Sequence, residues 1–234
     1  MAAFLGLLDP PAGFSFQQTW EKDVPKQKRE KEGWWTGTAE ENAAMHLQGR
    51  RWGGQFPYVG WGDSIMNSAA CFESYGCAMG DRQALLEAVP ESHKAFLKGL
   101  PWSLEMPLGE DGRRLLFVHA GLEDAAADGA TWEEQLAVLA RRDCTVARHE
   151  TLSGRKNVLS APQGLIERGD TTLISGHHGI IGVGKDRVIL DSSAGKWDNP
   201  LSAMLWPDGL VFQNDKEDPI LLAELPKLKQ VDRD

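Results

Sequence analysis

Two short runs of β-forming residues, each ending in histidine beside glycine and separated by a capped helical segment, constrain this chain more than any other feature. Residues 113–119 read Arg-Arg-Leu-Leu-Phe-Val-His and residues 171–175 read Thr-Thr-Leu-Ile-Ser, both typical of buried strands. Their ends carry Val118-His119-Ala120-Gly121 and Ser175-Gly176-His177-His178-Gly179. Between them Trp132, Leu136 and Leu139 recur at helical spacing, and Thr131 with Glu134 three positions later makes a capping box. Strand, helix, strand in that order predicts an α/β (α+β) body.

The neighbouring segments extend this pattern. Leu85, Leu86, Val89, Phe96 and Leu97 predict a helix over residues 81–98, broken at Pro90 by the missing donor and the ring clash. A short helix is expected over 162–167, with its proline in the first turn. Strands are expected at 187–190, 201–206 and 210–212, with a turn at Pro207-Asp208-Gly209, as a terminal meander. Residues 1–65 lack clear periodicity and read as an irregular extension, whose mixed-charge run at 26–32 is most simply a solvated helical face. The expected organisation is therefore 1–65 extension, 66–215 domain and 216–234 charged, loosely packed tail.

Charge narrows the partners. With 25 Lys and Arg against 34 Asp and Glu, the net charge of −9 disfavours nucleic acid and anionic membranes. No stretch approaches the roughly 18 apolar residues of a membrane span, and the first eight residues lack the basic start of a signal peptide. Cys71, Cys77 and Cys144 cannot all pair and form no metal-binding CxxC spacing, which suggests a soluble protein of a reducing compartment, the cytoplasm or an organellar stroma.

Chemistry is expected where the histidines lie. Ligands of open α/β sheets bind at strand ends, and glycine lets an ion or phosphate approach the backbone closely. Neutral imidazole suits zinc, iron or manganese, so His119 and His177 are candidate ligands of one divalent ion. A single histidine in such a place is more often a hydrogen-bonded core residue, and it is the pair on two strand ends that points to metal. His178, one residue on, is expected to point the other way.

The order Leu115-Leu116-Phe117-Val118-His119-Ala120-Gly121-Leu122, a helix, the Gly154-Arg155 loop, Gly176-His177-His178-Gly179, then Asp191-Ser192-Ser193-Ala194-Gly195 and the Pro200 to Gly209 stretch resembles the calcineurin-like metallophosphoesterases, nearest their serine/threonine-phosphatase-like branch with its Shewanella-like and plant members. The resemblance covers roughly residues 65 to 213. It implies part of a four-layer β-sandwich flanked by helices, and two divalent ions (Mn, Fe or Zn) that activate a water to attack a phosphate monoester. It makes His119 and His177 ligands of the second ion, Arg155 a bidentate phosphate clamp, and Asp191 a structural hydrogen-bonding residue on the terminal meander. A plain surface arginine is the competing reading of Arg155.

The front of that active site has no counterpart. Residues 1–70 contain neither Asp-x-His nor Gly-Asn-His-Glu, and His46 has no aspartate two positions before it. Where the asparagine ligand and acid histidine belong stand Gly62 and Asp63, and glycine cannot be a ligand. No catalytic residue is therefore assigned. The leading reading is a metal-dependent phosphatase crippled at its first metal site; the alternative is a non-catalytic module that binds a phosphorylated ligand or a protein partner. A one-metal hydrolase using His119, His177 and a carboxylate is a third. Loss of the opening strands leaves sheet edges that favour a protein partner or self-association.

Overall fold

The computed structural model describes residues 5–8, 69–78, 81–124, 126, 129–143, 150–193 and 199–228. The boundary expected at residue 65, the charged run at 26–32 and the segment 61–67 lie outside the described residues. The chain divides into two units, Met1–Leu100 with Asp143–Arg148, and Pro101–Arg142 with His149–Asp234.

In the first unit, α1 (Ala69–Ser74), α2 (Arg82–Ala88) and α3 (Glu91–Gly99) build around Leu5, Phe72, Leu85 and Val89. Asp81 caps α2 by accepting the Ala84 N–H at 2.9 Å. The break falls at Pro90, as its ring chemistry requires: Val89 is extended, and Pro90 is the residue ahead of α3.

The second unit has an α/β fold. Its first sheet is built from β1 (Ser103–Leu108), β2 (Arg113–Val118), β3 (Thr171–Ser175), β4 (Ile181–Gly184) and β5 (Arg187–Leu190), in the order β1-β2-β3-β5-β4. The three inner strands β2, β3 and β5 run parallel, while β1 and β4 pair antiparallel at the edges. Pro107 sits in β1, an edge strand, where its missing N–H leaves no gap in a central ladder. The second sheet is an antiparallel meander of β6 (Ser202–Leu205), β7 (Leu210–Gln213) and β8 (Ile220–Leu221).

Strand alternation explains the layering. Leu116, Val118 and Leu173 project to one face and pack on Leu139 and Trp132 of α4 (Trp132–Arg141) and Leu165 of α6 (Gln163–Arg168). Leu115, Ile174 and Val188 project to the other and meet Met204, Trp206 and Leu222 on the side of the second sheet. Helices, five-stranded sheet and three-stranded sheet make three layers among the described residues. Between β2 and β3 also lie α5 (Glu150–Ser153) and a 3₁₀ turn, Lys156–Val158. The Thr131 capping box forms as expected, with both of its hydrogen bonds.

Three expectations change. Residues 187–190 belong to the large sheet as β5 and not to the meander, because their ladder partners are β3 and β4. Pro162 precedes α6 as its cap residue and does not enter the first turn. The tail expected to pack loosely is in its described part integral to the unit. Ile220–Leu221 completes the second sheet, Leu225 is buried, and Val183 of β4 exchanges backbone hydrogen bonds with Pro226 and Leu228. Apolar residues set among the charges, Ile220, Leu222, Leu225 and Leu228, supply the burial that the net charge of the segment conceals.

Candidate metal and phosphate site

His119 follows β2 and His177 follows β3, at the carboxyl ends of two adjacent parallel strands. Register alone would separate them. Leu116 pairs with Leu173 and Phe117 with Ile174, so continued alternation sets position 177 beside position 120 and sends the two imidazoles to opposite faces. His177 escapes this by taking a left-handed backbone, φ 70°, while Gly176 N–H donates to the His119 carbonyl at 3.2 Å. A left-handed non-glycine residue is uncommon and marks functional sites more often than others. As a result His119 Nε2 and His177 Nδ1 stand 3.1 Å apart, with ring centroids 4.8 Å apart.

Arg155 precedes the 3₁₀ turn, and its guanidinium donates to the His177 carbonyl. Asn157 shapes that loop: its carbonyl oxygen accepts the Arg155 N–H at 3.1 Å, and its amide donates to Glu123 and Glu150, each at 2.7 Å. All three residues expected from the sequence therefore come together. His178, expected to point away by strand alternation, stays beside the pair, its ring 5.6 Å from that of His177 in an edge-on arrangement, because the left-handed His177 breaks the alternation. The His178 Nε2 lies 2.7 Å from the Ala120 carbonyl, which makes that nitrogen the protonated one when the ring is neutral. Asp191 follows β5, at the end of the large sheet and not on the meander. Its carboxylate accepts the N–H groups of Gly179 and Ser193, both at 2.8 Å, and so holds the loop beyond His178.

No family model and no curated protein matches this chain.

Two imidazole nitrogens each about 2.0–2.1 Å from one ion stand about 2.8–3.0 Å apart in octahedral and about 3.3–3.4 Å apart in tetrahedral geometry. The His119–His177 separation of 3.1 Å lies between these values and fits two positions of one coordination sphere. Among the described residues, however, no group of three or more His, Cys, Asp or Glu is arranged to hold a metal. Asp191, the carboxylate whose charge acts on His119, has both oxygens engaged by backbone donors. The described donors thus supply half of a mononuclear site.

Electrostatics suit that role. Loss of hydration lowers the His119 pKa below the ordinary histidine value, although the residue keeps contact with solvent; the Asp191 carboxylate opposes this shift and the Arg155 guanidinium adds to it. Burial likewise lowers His178, against its hydrogen bond to Ala120 and with help from Arg187 and Arg155. The His119 and His178 rings are then neutral near pH 7, and for the candidate ligand His119 the neutral ring is the form that binds metal. The unfolded chain takes up protons that the folded chain refuses. Stability present above about pH 6.5 is therefore lost as the pH falls through the lowered values. Urea midpoints measured from about pH 7.5 to 5 are expected to drop in the wild type and to drop less in His119→Asn/His178→Gln; an unchanged slope in that variant would assign the effect to other groups.

Sequence reasoning missed Arg187. This arginine is 1% exposed, on the inner strand β5, with hydrogen bonds to six acceptors. Burial pushes its pKa down to about 9, so it stays charged at neutral pH. Its only sequence signal was a charged residue opening an otherwise apolar run, which equally describes a strand end in water.

Proposed function

We propose that this chain is a phosphoesterase-like protein whose His119, His177 and Arg155 form a phosphoryl-binding site, with the two imidazoles as ligands of one divalent ion. The observation that carries this reading is the convergence of those three side chains at the ends of adjacent parallel strands, 3.1 Å between ring nitrogens and the guanidinium on the His177 carbonyl. A bound ion would polarise phosphoryl oxygens and lower the pKa of a coordinated water. The chain's own contribution is to hold the His119 pKa down, to aim the two rings at one point through the left-handed His177, and to bring a guanidinium fork to the same place.

A second reading, a binding module without turnover, is favoured by one observation: the described donors stop at two. Full-length protein stripped with chelator and titrated with Mn²⁺, then tested on p-nitrophenyl phosphate, separates the two. A phosphatase binds the ion and turns over, and His119→Ala lowers both by at least about tenfold. A binding module shows no turnover but binds orthophosphate, and Arg155→Ala weakens that binding by about tenfold, the scale of one charge-assisted contact. If the protein binds neither Mn²⁺ nor orthophosphate, both readings are wrong.

A further inference from the structure

Arg187 belongs to no ion pair among the described residues, yet among them it is one of the most deeply buried side chains. An arginine enclosed with only neutral acceptors is costly, so its contacts must do more than fill space. Those contacts fall on the three segments that carry the candidate site. Nη2 donates to the Ala120 carbonyl at 2.9 Å, one residue after His119, and to Ser175 Oγ at 2.7 Å, two residues before His177. The same nitrogen reaches the Val158 carbonyl at 3.3 Å, and Nε reaches the Leu159 carbonyl at 3.1 Å, both in the turn that follows Arg155. Nη1 is held by the Val188 carbonyl at 2.9 Å and the Leu173 carbonyl at 3.4 Å, which anchors the fork to β5 and β3.

We propose that Arg187 is the positioning residue of the phosphoryl site, tying the ends of β2 and β3 and the turn after Arg155 into one frame so that His119, His177 and Arg155 address a single ligand. The Ala120 carbonyl is the shared node, since it also receives the His178 ring at 2.7 Å. Five fixed N–H donors in a planar fork reach several carbonyls at once, whereas a lysine ammonium has three and no fork. The buried positive charge also favours an anion at the strand ends above it; its influence already extends to His178. The identity of the ligand rests on the phosphoryl reading above, whereas the positioning is testable without any ligand.

The test uses full-length protein labelled with ¹⁵N-histidine, as wild type, Arg187→Lys, Arg187→Gln and Ser175→Ala, each checked for folding by thermal unfolding. The first readout is the ring-to-ring hydrogen bond between His119 and His177, seen by NMR as nitrogen–nitrogen coupling through the shared proton. The second is the affinity for orthophosphate. The wild type is expected to show the coupling. Arg187→Lys is expected to remain folded, to lose the coupling, and to bind orthophosphate at least about tenfold more weakly, as when a supporting partner of a site ligand is removed.

A folded Arg187→Lys with unchanged coupling overturns the proposal, as does a wild type that shows no coupling. If neither Arg187 variant folds, Ser175→Ala decides, because it removes one acceptor of the fork and leaves the arginine in place: weakened coupling supports the positioning role, and unchanged coupling overturns it. Should the wild type fail to bind orthophosphate while the coupling still depends on Arg187, the positioning role stands and the phosphoryl reading falls.

Discussion

Leu173→Ala is expected to lower the stability of the folded protein by about 3 kcal/mol, within the ~2–5 kcal/mol span of leucine truncations in well-packed cores. Leu173 is fully buried on β3, a strand flanked by ladder partners on both sides. Its side chain closes a cluster with Leu116, Val118, Leu139, Ala161 and Leu165. The cavity left by three missing carbons cannot collapse easily, because β3 is held in register by β2 and β5 and the helices rest on several other side chains. Denaturant unfolding checks this through the midpoint at constant slope. A loss below about 1 kcal/mol, the scale of a surface change, would mean that the layer packing described here is wrong.

The second large effect is expected at Gly121, where alanine disturbs stability and site together. A Cβ there would lie 2.3 Å from the Val158 carbonyl oxygen and 2.9 Å from Val158 Cβ. Real Cβ atoms do not approach backbone so closely, so one segment must move. Val158 is itself fully buried, and its carbonyl accepts from Arg187, so its shift disturbs the turn that bears Arg155. Gly121→Ala is expected to cost about 3 kcal/mol, the upper end of overpacking, and to weaken orthophosphate binding along with it. Gly176→Ala is the control. Its Cβ would meet nothing nearer than Asp191 Cβ at 3.9 Å, an ordinary contact, and its stability is expected to change by less than about 1 kcal/mol. Equal losses at the two glycines would remove the steric argument.

Much of the second unit, and the helix break in the first, was legible from local signals. The β2 and β3 runs, the capped α4 and the break at Pro90 all depend on neighbours within a few positions: side-chain alternation, a Thr–Glu box, a missing N–H. The candidate site was legible as a pair of histidines because each stands within two residues of the end of a recognisable strand. β1 and β4 were not seen. One carries a proline and mostly exposed residues, the other two glycines, and both are edge strands whose form comes from the partner and not from their own preferences. The packing of residues 220–228 escaped for a related reason, since only the meander and β4 give those apolar side chains a surface to cover.

By itself, then, the sequence determined the inner strands β2, β3 and β5, the strands β6 and β7 and the helices α4 and α6 of the second unit, and that two histidines stand just beyond β2 and β3 with an arginine in the loop between them. The tertiary structure decided that β2 and β3 run parallel in a register that would have split the histidines, and that a left-handed His177 reunites them across 58 residues of chain. It also decided that Arg187, readable as a solvated strand end, is enclosed beneath both strand ends and the intervening turn. The physical reason is range. Propensity and capping act over one helical turn, whereas register, burial of a charge and the meeting of two imidazoles are set by hydrogen bonds and packing between segments that only the completed fold brings together.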